Sequence, residues 1–162
     1  MKSITTTLTI LALSALTAAA TGPEDQAAGK KLLQEYGVAM VGVWESEITL
    51  NEDAPGLGEK GDKLLGYGTI RMILQNNAIE GSYRLGEVSG KSLTVWDPAS
   101  KQIKANWTSS DGSVGSATVE KDGEQWVWKG TTVLADGTEE TGVTTIHVSD
   151  EGNTHTHIGA DR

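Results

Sequence analysis

The chain has three histidines, and all of them lie near its C-terminus, at His147, His155 and His157. Three imidazole nitrogens with an open fourth position make a competent zinc site. His155 and His157 are two residues apart, so on a strand they share one face, about 7 Å from each other. If residues 149–153 form the preceding turn, His147 stands opposite His155 and joins them on that face. This spacing predicts a zinc site at His147, His155 and His157.

Two considerations limit the zinc hypothesis. A register slip of one residue would move His147 to the other face of the strand pair. A terminal pair of strands can also carry exposed histidines that bind nothing, and this interpretation stays open. Catalysis on such a metal needs a general base close by. The only local acids, Asp150 and Glu151, fall in the predicted turn, so we predict no catalytic residue and the sequence does not indicate an enzyme.

Other short motifs lack the elements that their chemistry requires. Residues 56–61 match the spacing G-x-G-x-x-G, but a dinucleotide site needs a helix directly afterwards. Residues 63–75 instead alternate as a strand does. The same segment faintly resembles a calcium loop, but no helices flank it and Pro55 lies inside it. We therefore interpret residues 51–62 as a glycine-rich loop.

The N-terminus resembles a secretory signal. Lys2 gives a minimal positive region, residues 8–16 give a short apolar core, and Ala18 and Ala20 form a small-residue cleavage site. A membrane anchor is the alternative, but the apolar core is short for a span, which needs about 20 residues. The sequence predicts a signal peptide over 1–20, a helix and linker over 21–38, a domain over 39–162, and a secreted or periplasmic protein.

Composition narrows the class of partner. The 162 residues suit one domain, and the chain contains no cysteine, which excludes disulfides and thiolate chemistry. The formal net charge is −9. A polyanion would be repelled by such a surface, which argues against nucleic acid and, after signal cleavage, against anionic membranes as partners. Oligomeric state is not indicated.

Residues 95–137 specify the fold most clearly. They hold four of the five tryptophans, and Asp-Gly pairs recur at Asp111, Asp122 and Asp136. Asp-Gly between alternating segments is typical of hairpin turns. Together with the alternating segments on either side, these turns predict about nine short strands. One helix precedes the strands, at residues 23–36, and Gly37 is predicted to be its C-cap.

The pattern therefore favours an all-β fold, an antiparallel up-and-down barrel of about 8–10 strands with one short N-terminal helix. Barrel closure would also remove exposed sheet edges. The positions predicted to face inward share an apolar alternation along successive strands. They are Trp44, Ile79, Tyr83, Leu93, Val95, Ile103, Ala105, Trp107, Ala117 and Val119.

A family resemblance supports the same fold. The Gly42-Val43-Trp44 segment after a short helix resembles the start of lipocalin/calycin barrels. The segments beginning at Trp96, Trp107, Asp122 and Leu134 are similar to a lipocalin-like domain of uncharacterised secreted bacterial proteins. The resemblance implies a barrel of that kind but no activity. Barrels of lipocalin-like shape that carry haem use a histidine, so a haem ligand is a third interpretation of the histidines.

Barrels of about eight strands have room for one small ligand. The first functional hypothesis is therefore a binding module whose interior, at Trp44, Tyr83 and Trp107, holds an apolar or amphipathic molecule. The second is a metal-binding protein or metal-dependent enzyme that uses the histidines. The third is a structural or interaction domain with a filled core.

Overall fold

The computed structural model describes residues 22–50, 57–149 and 154–160, and for the last range only the course of the backbone. The predicted signal peptide lies outside the described residues. The elements are α1 (Pro23–Met40), β1 (Gly42–Thr49), β2 (Lys63–Ile73), β3 (Ala78–Leu85), β4 (Val88–Asp97), β5 (Gln102–Ser109), β6 (Val114–Asp122), β7 (Gln125–Val133), β8 (Glu139–Ser149) and β9 (Thr154–Ala160).

The strands form one antiparallel sheet in which each pairs with its neighbours in chain order, β1 to β9. This confirms the all-β, up-and-down prediction with one short helix. The predicted barrel closure is wrong, because the sheet is an open, curled half-barrel: within the described residues β1 pairs only with β2, and β9 only with β8.

The Asp-Gly turns fold as predicted. Gly112, Gly123 and Gly137 have φ values of 90°, 59° and 87°, which glycine adopts without the steric penalty of a Cβ. In two of these turns the preceding aspartate also accepts a backbone hydrogen bond two residues on. Asp111 accepts from the N–H of Ser113 at 3.0 Å, and Asp136 from that of Thr138 at 2.8 Å. These local bonds fix the hairpins that join β5 to β6 and β7 to β8.

Helix α1 packs against the concave face of the sheet, at one end of the strands. Leu33, Tyr36 and Met40 are buried there, in one core cluster with residues from β3, β5, β6, β7 and β8. This arrangement explains the open sheet. The helix already covers the apolar side chains at this end that an opposite wall of strands would cover in a closed barrel.

The helix continues past its predicted end. Gly37 is helical and buried, and α1 ends at Met40. A Cβ at Gly37 would lie 2.3 Å from the Sδ atom of Met72. Gly37 therefore serves close helix–sheet packing, not the C-cap predicted for it. Within the described residues no helix is long and apolar enough to cross a membrane.

Eight of the ten residues predicted to face inward do so. Opposite residues in an antiparallel pair share a face, and the pairs run from Trp44 through Tyr83 and Trp107 to Trp128 on the concave side. The prediction for Leu93 and Val95 is wrong. They pair with Asn106 and Lys104 on the outer face, and Leu93 is 44% exposed. Thr94 and Trp96 face inward instead, and the Trp96 ring packs against Gly29 of α1.

Candidate functional site

The candidate ligand residues lie on the concave face of three different strands. Trp44 is on β1, Tyr83 on β3 and Trp107 on β5, and each is half-buried. The C-terminal end of the helix lies beside Trp44, while Tyr83 and Trp107 lie nearer the other end of their strands. A half-buried aromatic ring on a concave surface can bind an apolar molecule, because ligand contact removes its remaining apolar surface from water.

Each ring leans over a nearby glycine. A Cβ at Gly42 would lie 3.1 Å from the Trp44 ring, one at Gly90 would lie 2.4 Å from the Tyr83 ring, and one at Gly115 would lie 2.1 Å from the Trp107 ring. The missing side chains let the rings lie flat on the sheet.

Hydrogen bonds and ring contacts hold the rings further. The Trp44 indole N–H donates to the Met40 carbonyl oxygen at 2.9 Å. The hydroxyls of Tyr83 and Ser109 share a short hydrogen bond. The centroids of the Trp107 and Trp128 rings are 6.3 Å apart.

Trp128 in turn joins the aromatic group to the helix. Its indole N–H donates to the Tyr36 hydroxyl at 3.1 Å. The Tyr36 ring also meets Trp126 edge-on at 4.9 Å. Burial raises the pKa of the Tyr36 phenol well above its ordinary value, so it stays neutral. Trp107 is thus connected through Trp128 to the buried core.

A gap lies between Trp44 and Tyr83. In the strand register Gly68 stands between them, opposite Trp44 on one side and opposite Tyr83 on the other. A Cβ at Gly68 would have only one heavy atom within 4 Å, the carbonyl oxygen of Ser82 at 3.4 Å. Apart from the chain neighbours of Gly68, no described side-chain atom lies within 4 Å of this position, and we call the space directly over Gly68 the inner gap. For Gly142, on the concave side of β8, no atom of the described residues other than its chain neighbours lies within 4 Å of such a Cβ.

The histidines do not pair as predicted. Strands β8 and β9 align with Ser149 opposite Thr154, so His155 stands opposite Val148 and His147 opposite Thr156. The predicted pairing of His147 with His155 is wrong by one residue, because the turn between the strands is shorter by one than we assumed. By backbone position His147 alternates with Ile146 and Val148, which face inward.

The side chains of His155 and His157 lie outside the described residues. Among the described side chains no three metal-ligating groups lie together. The zinc and haem interpretations stay predictions. The glycine-rich loop is described only from residue 57 onward. In that part the Asp62 carboxylate accepts a hydrogen bond from the Glu59 N–H at 2.9 Å.

The sequence analysis proposed the aromatic residues of the candidate site but did not name the glycines beside them. The inward positions of β2, β4 and β6 hold Gly68, Gly90 and Gly115. Glycine at an inward position of every second strand was the signal that could have identified them. Comparisons with protein-family models, with curated proteins and with solved structures gave no match to the chain. The lipocalin-like resemblance therefore stays an expectation from the sequence.

Proposed function

We propose that the protein is a secreted or periplasmic binding module that holds a small apolar or amphipathic molecule on the concave face of its half-barrel. Trp44 and Tyr83 would flank the ligand, and Trp107 would extend the apolar surface beside them. The signal-like N-terminus supports the location. In this proposal the domain carries a lipocalin-like ligand site in an open sheet.

The observation that carries the proposal is the inner gap over Gly68. Protein interiors are close-packed, whereas the partly exposed Gly68 presents no side chain beside the half-buried Tyr83 ring, so a ligand placed here could make dispersion contacts with that ring. A bound molecule would supply those contacts.

The test uses N-phenyl-1-naphthylamine, a neutral apolar probe whose fluorescence rises when it leaves water. Wild-type protein should bind it in a saturable way. Gly68→Leu puts a side chain into the inner gap at a residue without positive φ. We expect this variant to bind the probe about tenfold more weakly, a loss of about 1.4 kcal/mol.

Thr69→Leu is the matched control. Thr69 is the next residue of β2, is exposed, and faces the other side of the sheet. The Thr69→Leu variant adds the same leucine side chain outside the inner gap, so its affinity for the probe should equal that of the wild type. Equal affinities for the two variants, at equal thermal stability, would contradict the proposal and favour a filled structural domain.

A further inference from the structure

A second groove lies on the outer face of the sheet, away from the aromatic rings. It crosses β5, β6, β7 and β8 and has a volume of about 740 Å³. Two rows of outward side chains border it. One row runs from Lys104 through Thr118 and Lys129 to Val143, and the other includes Ser116 and Thr131.

The floor of the groove is backbone. Between the two rows stand Ala105, Ala117, Gly130 and Gly142, which pair in register across the four strands and direct any side chain to the concave face. Four strands at a spacing of about 4.8 Å give the groove a length of roughly 14 Å. An extended chain of about eight carbon atoms spans about 10 Å, which is the distance across two strand spacings, from β6 to β8.

The walls combine positive charge with methyl groups. Lys104 and Lys129 lie two strands apart in one row, about 10 Å from each other along the sheet. Between and beside them, Thr118, Thr131 and Val143 contribute methyl groups. The aliphatic stems of the two lysines add further apolar surface. Such a lining suits a ligand that has one anionic end and one apolar part.

Each ammonium group is paired with a carboxylate of the next outward row, on the side away from the groove floor, and has to turn from it to meet a ligand in the groove. Lys104 pairs with Asp97 at 2.6 Å and Lys129 with Glu120 at 2.7 Å. The two lysine side chains are 43% and 52% exposed, so these pairs are screened by water and weak. An ammonium group has three donors and can hold a ligand carboxylate beside its present partner or in its place.

We propose that this groove binds an amphipathic organic anion, of which a medium-chain carboxylate is the simplest example. The carboxylate would lie between the ammonium groups of Lys104 and Lys129, and the alkyl chain along the backbone floor towards Val143. The site is independent of the inner gap, because the two lie on opposite faces of the sheet. Failure of one proposal leaves the other intact.

The test is a titration of the full chain with sodium octanoate, followed by amide and methyl chemical shifts. The shifts should move at Thr131, Thr141 and Val143. Lys129→Met should weaken binding about fivefold, the upper range for an exposed ion pair. The double variant Lys104→Met/Lys129→Met should abolish the site-specific shifts. Octylammonium, with the opposite charge, should leave the groove resonances in place.

Two further variants separate this role from general effects of charge. Lys91→Met removes an outward lysine that is 73% exposed and lies outside the groove, and should leave the affinity within twofold of wild type. Glu120→Gln removes the competing carboxylate and should tighten octanoate binding. Equal weakening by Lys91→Met and Lys129→Met, weaker binding by Glu120→Gln, or shifts confined to the concave face would overturn the proposal.

Discussion

At the scale of single residues, large aromatic rings on the concave face lie over glycines, which have no side chain. Trp107 lies over Gly115 on the neighbouring strand, and Tyr83 lies over Gly90. Glycine in a strand weakens it, because it loses more conformational entropy on folding and packs no side chain. Here the rings occupy the space that side chains at these two glycines would need.

This pairing predicts opposite outcomes at two inward glycines. Gly115→Ala should destabilise the fold by about 1–3 kcal/mol, as overpacking does, because its Cβ would lie 2.1 Å from the Trp107 ring. Gly142→Ala meets no atom within 4 Å. It should be neutral or stabilising by up to about 1 kcal/mol, since alanine restricts the unfolded chain. Urea unfolding of both variants measures the difference, and equal destabilisation would contradict the packing described.

The sequence predicted most inward residues but failed on β4. Alternation placed Tyr83, Ile103 and Ala117 correctly because their strands carry polar residues on the other face. In β4 the outward Leu93 and Val95 are apolar, while Thr94 lies inward and is 3% exposed. Periodicity cannot choose a face when both faces carry residues that tolerate burial. Only the register with β3 and β5 settles the orientation.

At the scale of elements, α1 depends on tertiary contacts. Its N-cap, Gly22, makes no side-chain capping bond, and its last turn has no basic residue. Its attachment comes from the buried Leu33, Tyr36 and Met40, and from exposed ion pairs such as Glu35 with Lys121 at 3.0 Å. Since exposed pairs contribute little, burial of the apolar face holds the helix.

Because of Tyr36, the free energy of unfolding should decrease at alkaline pH. Burial raises the pKa of its phenol in the folded state, so the unfolded chain ionises first. The stabilisation is fully present below about pH 10, the ordinary tyrosine value, and is lost as pH rises above it. Denaturant unfolding at pH 8 to 11 should show this decline for the wild type.

Tyr36→Phe should make that alkaline decline shallower. At neutral pH it should cost about 0.5–1.5 kcal/mol, because the Trp128 N–H loses its acceptor. Tyr67→Phe is the control, since Tyr67 is 53% exposed on the outer face of β2. An equally steep decline for Tyr36→Phe and for the wild type would show that Tyr36 does not cause the effect.

The ends of elements were predicted correctly where they depend on the residues of one turn. The predictions were wrong where the ends depend on contacts between residues far apart in the sequence. The Asp-Gly hairpins need only their own residues, and they form where the sequence places them. The end of α1 depends on Met72, which is far along the chain and lets Gly37 remain helical. The register of β8 and β9 depends on the number of residues in one turn, which no local signal fixed.

At the scale of the molecule, the open sheet leaves two edge strands in the part of the chain described. Strand β1 carries exposed Glu45 and Glu47 on its outer face, and charges on an edge discourage pairing with other chains. The net charge of −9 acts in the same direction. Both features oppose edge-to-edge association of the open sheet.

The location proposed for the molecule makes a direct prediction about its N-terminus. A signal peptide with Ala18 and Ala20 at its cleavage site should leave a mature chain that begins near Thr21. N-terminal sequencing of protein from its own host checks this. A chain that keeps Met1 and stays in the cytoplasm would rule the signal out.

The central claim is that the concave face holds a small molecule, and native mass spectrometry of protein purified from its own host tests it most directly. We predict a species heavier than the polypeptide by the mass of one small apolar or amphipathic molecule. That extra mass should disappear in the denatured spectrum and be reduced for Gly68→Leu but not for Thr69→Leu. A native spectrum of the bare polypeptide, from protein that also fails to bind N-phenyl-1-naphthylamine, would contradict the account.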